Sequence, residues 1–391
     1  MSVKERIVFF LLCILAVLDA LTIHPVIVQM GLAAGLKQGS ILTPFFIAGF
    51  VAAFVISLIK SSFLQSRYIK KSVVALFFIA LTYGIVYALF DNSYLEGDLR
   101  AIGICVVAAI IGYESRLTEN NFSVLLLVFA TSVTFVGLMQ VLTNIGGFII
   151  ESVYLVNSKN TLGVFLANAA IIYFYFGLRS KKFKVLFLAA AFFVLFLILT
   201  ARCRAAFVAT VLILLYLTRE YYKNINLFVL ILFTIPVIAL LLTNDIISDY
   251  VYNSFYSGYE GGDVTSGRSE RNEETFGFVM DNLLTGNLIL KSDMEQVHNF
   301  ILCKLFQTGI LFSIPVLYHY FFTILFSFKA IRKQDIKIVQ NLGLILLMVP
   351  FIISLAEYTL PYGPGTATVF NFIFFGFALR NIPSLKHSIT I

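Results

Sequence analysis

The sequence predicts an all-α polytopic membrane protein with about twelve transmembrane helices and one long extracytoplasmic loop. Three observations predict it. The 391 residues are 60% hydrophobic and 13% charged, with a mean hydropathy of +0.93, whereas soluble domains carry about a quarter charged residues. Apolar runs near spanning length, about 20 residues for a helix, recur along the whole chain. The basic residues between those runs gather on alternate connections. Soluble enzyme classes are set aside, because 41 Phe in a soluble chain would leave large apolar patches exposed.

The runs lie near 7–23, 41–59, 72–90, 100–114, 122–142, 161–178, 183–200, 205–218, 226–243, 305–328, 339–356 and 366–380. The first follows Lys4 and Arg6 as a secretory signal would, but no small-residue cleavage site comes after it and further apolar runs do, so it is expected to stay as the first span. The fourth, eighth and twelfth runs are short and are expected to be tilted or broken. None shows the roughly ten-residue alternation of a membrane barrel. One integral membrane domain over 1–391 is expected, with the long loop at 244–298 inside it. No internal repeat of the kind many transporters carry is evident.

With the N-terminus inside, the cytoplasmic connections hold 19 of the 28 Lys and Arg, including Lys60, Arg67, Lys70 and Lys71, then Arg179, Lys181, Lys182 and Lys184, then Lys329, Arg332, Lys333 and Lys337. Only five of the 21 acidic residues share that side, which leaves +14 inside and −7 elsewhere. This asymmetry places both termini in the cytoplasm. The net charge of +7 is thus a topology signal and not a nucleic-acid surface, which needs a contiguous basic patch. Cys13, Cys105, Cys203 and Cys303 are too far apart for a zinc site or a disulfide framework and are expected to be buried.

Against that asymmetry, a few cations stand on the acidic outer side. The turn after the seventh run reads Thr200, Ala201, Arg202, Cys203, Arg204. Either these arginines snorkel to headgroups or they serve a site. The long loop holds Arg268, Arg271 and Lys291 among ten acidic residues. Its arginines either pair with Glu270, Glu273 or Glu274 on an exposed helix or present guanidinium forks to phosphate. After Ser266, a candidate N-cap, Phe276, Val279 and Leu283 recur at helical spacing and predict an amphipathic helix. It would rest on the membrane surface or pack its apolar face on the bundle. His298 lies where the loop meets the next apolar run, and an imidazole can accept a hydroxyl proton near neutral pH. His24 and His319 lack such surroundings and are expected to be satisfied interfacial residues. Arginines and a histidine at a membrane rim suit a reaction on a lipid-linked diphosphate, stabilising the charge that develops as the glycosyl bond breaks. No Asp-rich metal motif accompanies them, so the arginines take the part a divalent ion plays elsewhere.

At these residues the chain resembles the O-antigen ligase and polymerase superfamily, bacterial membrane proteins with a long extracytoplasmic loop late in the chain. Leu199 to Ala205 is similar to the family's small-hydroxyl-Arg motif, with Arg204 in the arginine position and Cys203 where Ser or Thr is usual. Gly267 and Arg268 resemble the Gly-Arg pair that opens a loop helix. His298 and Asn299, with Gly309 further on, resemble its His-Asn and Gly signature, and Asn160 to Gly163 resembles the start of the sixth span. The chain departs from the pattern in having no Trp and in keeping only Gly286 of the turn before the histidine.

The resemblance implies a GT-C-like fold and a metal-independent, inverting glycosyltransferase with no cofactor, acting on an undecaprenyl-diphosphate-linked oligosaccharide in the bacterial cytoplasmic (inner) membrane. It implies Arg204 and Arg268 on the diphosphate, Arg202 and Arg271 assisting, and His298 as base or acceptor guide. Asn299 and Glu357 join as substrate-binding members. The expected activity is polymerisation of repeat units into a surface polysaccharide, with a chain-length regulator protein as a partner. The alternatives are a ligase that moves glycan to lipid A core and a lipid-linked oligosaccharide flippase.

Overall fold

Helix starts and stops follow local chemistry. The Ser66 hydroxyl accepts the Ile69 N–H at 3.4 Å and opens one helix. The helix ends at Asp91, which adopts a left-handed conformation. At Pro25 a missing N–H and a restricted preceding residue break the chain. The helices on either side of it meet at 75°, and Gln140 Nε2 donates to the Ile23 carbonyl at 3.1 Å. In an apolar setting a carbonyl at a break needs such a partner.

The computed structural model describes residues 2–33, 40–143, 159–201, 203–222, 268–291, 297–363 and 366–380. These residues are helical with no strand. The helices are α1 (Val3–Thr22), α2 (Pro25–Ala33), α3 (Thr43–Leu58), α4 (Arg67–Phe90), α5 (Tyr94–Glu114), α6 (Glu119–Leu142), α7 (Lys159–Arg179), α8 (Lys184–Thr200), α9 (Arg204–Tyr221), α10 (Arg268–Asp281), α11 (Asn287–Leu290), α12 (Phe300–Lys333), α13 (Leu342–Ile353) and α14 (Val369–Arg380). Among the described residues four helices, α4, α6, α7 and α12, are long and apolar enough to cross a membrane, and α1 with α2 makes a fifth if the bent pair is one span. The expected ninth run, 226–243, and most of the loop at 244–298 lie outside the described residues. The expected short fourth run is one and a half turns longer than its apolar stretch, because α5 starts at Tyr94 among polar residues.

The chain forms two compact units. The first comprises 1–8, 52–118 and 267–391, and its centre is α14. This helix is buried from Val369 to Leu379, as expected of a helix that is apolar all round. Small residues admit it: a Cβ on Gly112 would lie 2.0 Å from the Ile373 carbonyl oxygen, and one on Gly376 would lie 2.0 Å from that of Ala109. Close backbone approach through glycine is the usual device where lipid removes a hydrophobic drive between helices. At one end of this unit the buried Glu114 collects cations that the charge count assigned to the cytoplasmic face. Arg380 stands 3.7 Å and Arg116 3.9 Å from its carboxylate, and the Ser62 N–H donates to it.

α12 is broken at Gly309, whose φ of 65° and ψ of 178° are not helical. The N–H groups of Ile310 and Leu311 donate instead to the carbonyls of Leu283 and Leu284, at 2.8 and 3.2 Å. Gly286, with φ 55°, faces the break, and a Cβ there would lie 2.5 Å from the Gly309 nitrogen. The turn after α10 is therefore seated in α12. Gly309→Ala is expected to lower stability by about 1–3 kcal/mol through its left-handed φ and the nearby Leu284 carbonyl. A thermal midpoint in detergent reads this, with Gly103→Ala, which meets open space, as the variant that leaves it unchanged.

The second unit comprises 9–51 and 119–266. Here α7 is the buried element, enclosed from Val164 to Ile172, with α6, α8 and α9 against it. An ion pair between Arg179 and Glu119 joins the end of α7 to the start of α6.

Candidate functional site

The start of α12 is held to the segment after α13. Asn299 caps the helix: its Oδ1 accepts the Leu302 N–H at 3.0 Å, and its Nδ2 donates to the Leu355 carbonyl at 3.1 Å. The Phe300 N–H donates to the Ser354 carbonyl at 3.1 Å, and the hydroxyls of Tyr320 and Ser354 bond at 2.9 Å. Asn299, expected as a substrate contact, thus bonds backbone through both its oxygen and its nitrogen and sets the position of its neighbour.

That neighbour is His298. Its Nδ1 lies 3.8 Å from Glu357 Oε2, an electrostatic pairing too long for a hydrogen bond. The His298 side chain is 27% exposed and that of Glu357 only 7%, so the ring reaches solvent with the carboxylate behind it. Tyr358 presents its ring edge-on at 6.1 Å. Burial, and then the Glu357 carboxylate, push the Tyr358 hydroxyl above its ordinary pKa.

A second charge pair lies close by. Lys304 Nζ meets Asp98 Oδ1 at 2.8 Å, both side chains nearly enclosed. The ammonium also donates to Gln307 Oε1 at 3.0 Å and sits 5.4 Å over the Phe300 ring. Asp98 Oδ2 is buried without a hydrogen-bond partner among the described residues. Sequence reasoning missed both residues. Each borders an apolar run and reads as an ordinary flanking charge. The signal was available in Lys304, one position before the tenth run and six after His298.

Arg268 and Arg271 lie on α10 of the same unit. Arg268 is its first residue, and Arg271 is half-buried. The buried side of α10 is formed by Thr275 and Val279, with Phe278 5.1 Å from Phe306 of α12. Of the expected apolar face only Val279 is buried. Phe276 and Leu283 are exposed, because α10 meets α12 along a strip too narrow to cover them.

The second unit holds Arg204. It opens α9 directly after Cys203, the N-cap residue. The Cys203 thiol donates to Asn160 Oδ1 at 3.7 Å, and a Cβ on Gly163 would come within 2.3 Å of its sulfur. Only glycine lets the start of α9 approach α7 this closely, so two of the predicted motifs, Asn160 to Gly163 and Cys203 with Arg204, are brought together. A cation in the first turn of a helix opposes the helix dipole at a cost of about 0.3–1 kcal/mol, which an anion beside it offsets. Arg202 lies outside the described residues.

His319, expected at an interface, is instead in the interior, with no exposed surface. Tyr362 explains it: its hydroxyl bonds His319 Nδ1 at 2.7 Å. His24 stacks on Phe135 at 6.2 Å. Among the described residues no group of three or more His, Cys, Asp or Glu is placed so that it could hold a metal ion. Compared with known proteins, the chain matches no protein-family model and no curated protein.

Proposed function

We propose that this chain is a membrane glycosyltransferase that joins lipid-linked oligosaccharide repeat units into a surface polysaccharide on the outer face of a bacterial cytoplasmic membrane. The reading includes about twelve spans of GT-C type with both termini cytoplasmic, and a donor on undecaprenyl diphosphate. A chain-length regulator is the expected protein partner. The observation that carries it is the His298–Glu357 pair at the start of α12, a partly exposed imidazole backed by an enclosed carboxylate.

In the proposed reaction an acceptor hydroxyl oxygen attacks the anomeric carbon, and the bond from that carbon to the diphosphate oxygen breaks with its electrons going to the diphosphate. His298 takes the hydroxyl proton, and Glu357 stabilises the imidazolium that results, as a carboxylate does for the base of a hydrolytic triad. The resemblance assigns the diphosphate and its growing charge to Arg268, with Arg271 assisting, in the first unit, and to Arg204, with Arg202 assisting, in the second. Asn299 positions His298 through its two backbone bonds. Tyr358 adds a protonated hydroxyl to the same rim.

The glycans of a strain lacking this chain test the reading. Lipid A core, or the capsule carrier, bearing a single repeat unit is the expected result. Long unattached polymer on the lipid carrier would instead identify a ligase. Repeat units held on the cytoplasmic leaflet would identify a flippase.

A further inference from the structure

α10 has three faces, and only two have an obvious environment. A helix turns about 100° per residue. On that wheel Thr275 and Val279, both buried, form one arc, and it packs on α12. Glu270, Glu273, Glu274 and Asp281, all exposed, form an arc on the far side that begins next to Met280 with Glu273. Between the two lie Phe276 and Met280, 56% and 57% exposed. The chain then continues through the exposed Leu283 and Leu284 to the exposed Ile289 and Leu290 of α11. Six large apolar side chains are thus uncovered on a segment whose other exposed arc is acidic.

What covers them follows from where the segment is seated. Its turn hydrogen-bonds to Ile310 and Leu311, about ten residues or 15 Å along α12 from its start. From there α12 presents a stripe of exposed apolar side chains, Leu311, Ile314, Tyr318, Phe321, Leu325 and Phe328, at the spacing of one helix face. α12 is long and apolar enough to cross a membrane, and in a membrane this stripe would be its lipid face. Leu283 and Leu284 join that stripe at the level of Leu311.

The geometry points to α10, its turn and α11 as a re-entrant element immersed edgewise in one leaflet, with Phe276, Met280, Leu284 and Leu290 against acyl chains, the acidic arc in water and Val279 on the bundle. The lipid bilayer is the partner of this surface. The part of that connection from Phe276 to Leu290, which reads from its charges as an aqueous loop, would then be anchored at fixed depth. Amphipathic helices of this kind bury their apolar face about 5–10 Å into the headgroup and acyl boundary. The inference rests on the membrane reading of α12 and is independent of the chemistry proposed above.

The chain has no Trp, so one introduced Trp is the sole indole reporter. Full-length Phe276→Trp, Met280→Trp, Glu274→Trp and Ile314→Trp variants are reconstituted in phosphatidylcholine vesicles, with and without lipid brominated near the carboxyl end of its acyl chains. Every site is exposed and none touches the Gly286–Gly309 contact. Loss of emission at 276, 280 and 314, with Glu274→Trp unaffected, is expected. Quenching at 314 with none at 276 and 280 would overturn the proposal and give that surface to a protein partner or to water. Quenching at 274 as well would overturn the three-sided orientation. No quenching at 314 would remove the membrane face of α12 and the proposal with it.

Discussion

On the proposed reaction, His298→Ala and Arg204→Ala each abolish chain extension while leaving protein level and membrane insertion intact. A positioned base contributes about 10²–10⁴ in rate. Losing that factor reduces polymer to a single repeat unit in a gel of the surface glycan. His298 is partly exposed, and the cap of α12 is supplied by Asn299. Its removal therefore acts on chemistry and not on folding. Glu357→Gln keeps the shape behind the imidazole and removes the charge, so it is expected to slow extension less than His298→Ala does. Arg204 occupies a position that the helix dipole disfavours, so its loss costs no stability by that route. Unchanged polysaccharide length in both alanine variants would remove the assignment.

Lys304→Met is expected to be the most destabilising single change in the first unit. The ammonium meets Asp98 at 2.8 Å with both side chains nearly enclosed. Removing it leaves a carboxylate buried alone at a cost of about 3–5 kcal/mol. Among the described residues Asp98 Oδ2 has no hydrogen-bond partner, so no bond already in place offsets the loss of the ammonium. The double variant Asp98→Leu with Lys304→Met removes both charges and is expected to recover most of the loss, because buried pairs often contribute little net stability over apolar substitutes. Apparent melting of the purified protein in detergent measures both. A double variant as weak as the single one would show that the cost is in packing around Phe300 and Gln307. Extension activity of the recovered double variant then reports whether the pair also holds the His298 rim in place.

The helical character of this chain was legible because it is written in local terms. Apolar runs, Pro25, Ser66 and the polar cap residues act over a few positions, and the runs coincide with helices wherever residues are described. His298 and Asn299 stand out in sequence by their place at the end of a loop, whereas the approach of Glu357 to within 3.8 Å of the imidazole and the bonds of Asn299 to Leu302 and Leu355 are seen only in the folded chain. Asp98 and Lys304 were invisible because a charge at the edge of an apolar run has an ordinary explanation in sequence. Only the approach of α5 to α12 turns two such charges into a buried pair.

Composition and the recurrence of long apolar runs by themselves determined that the chain is helical and apolar on the scale of a membrane, since both depend on summed transfer energies that need no partner. Tertiary structure alone decided what the glycines do and which face of α10 is covered. Gly286 and Gly309 are separated in the chain, and their left-handed conformations have meaning only where two backbones meet. Hydrophobic periodicity likewise marks Phe276, Val279 and Leu283 as one set. Burial divides them, because burial depends on what stands opposite each side chain.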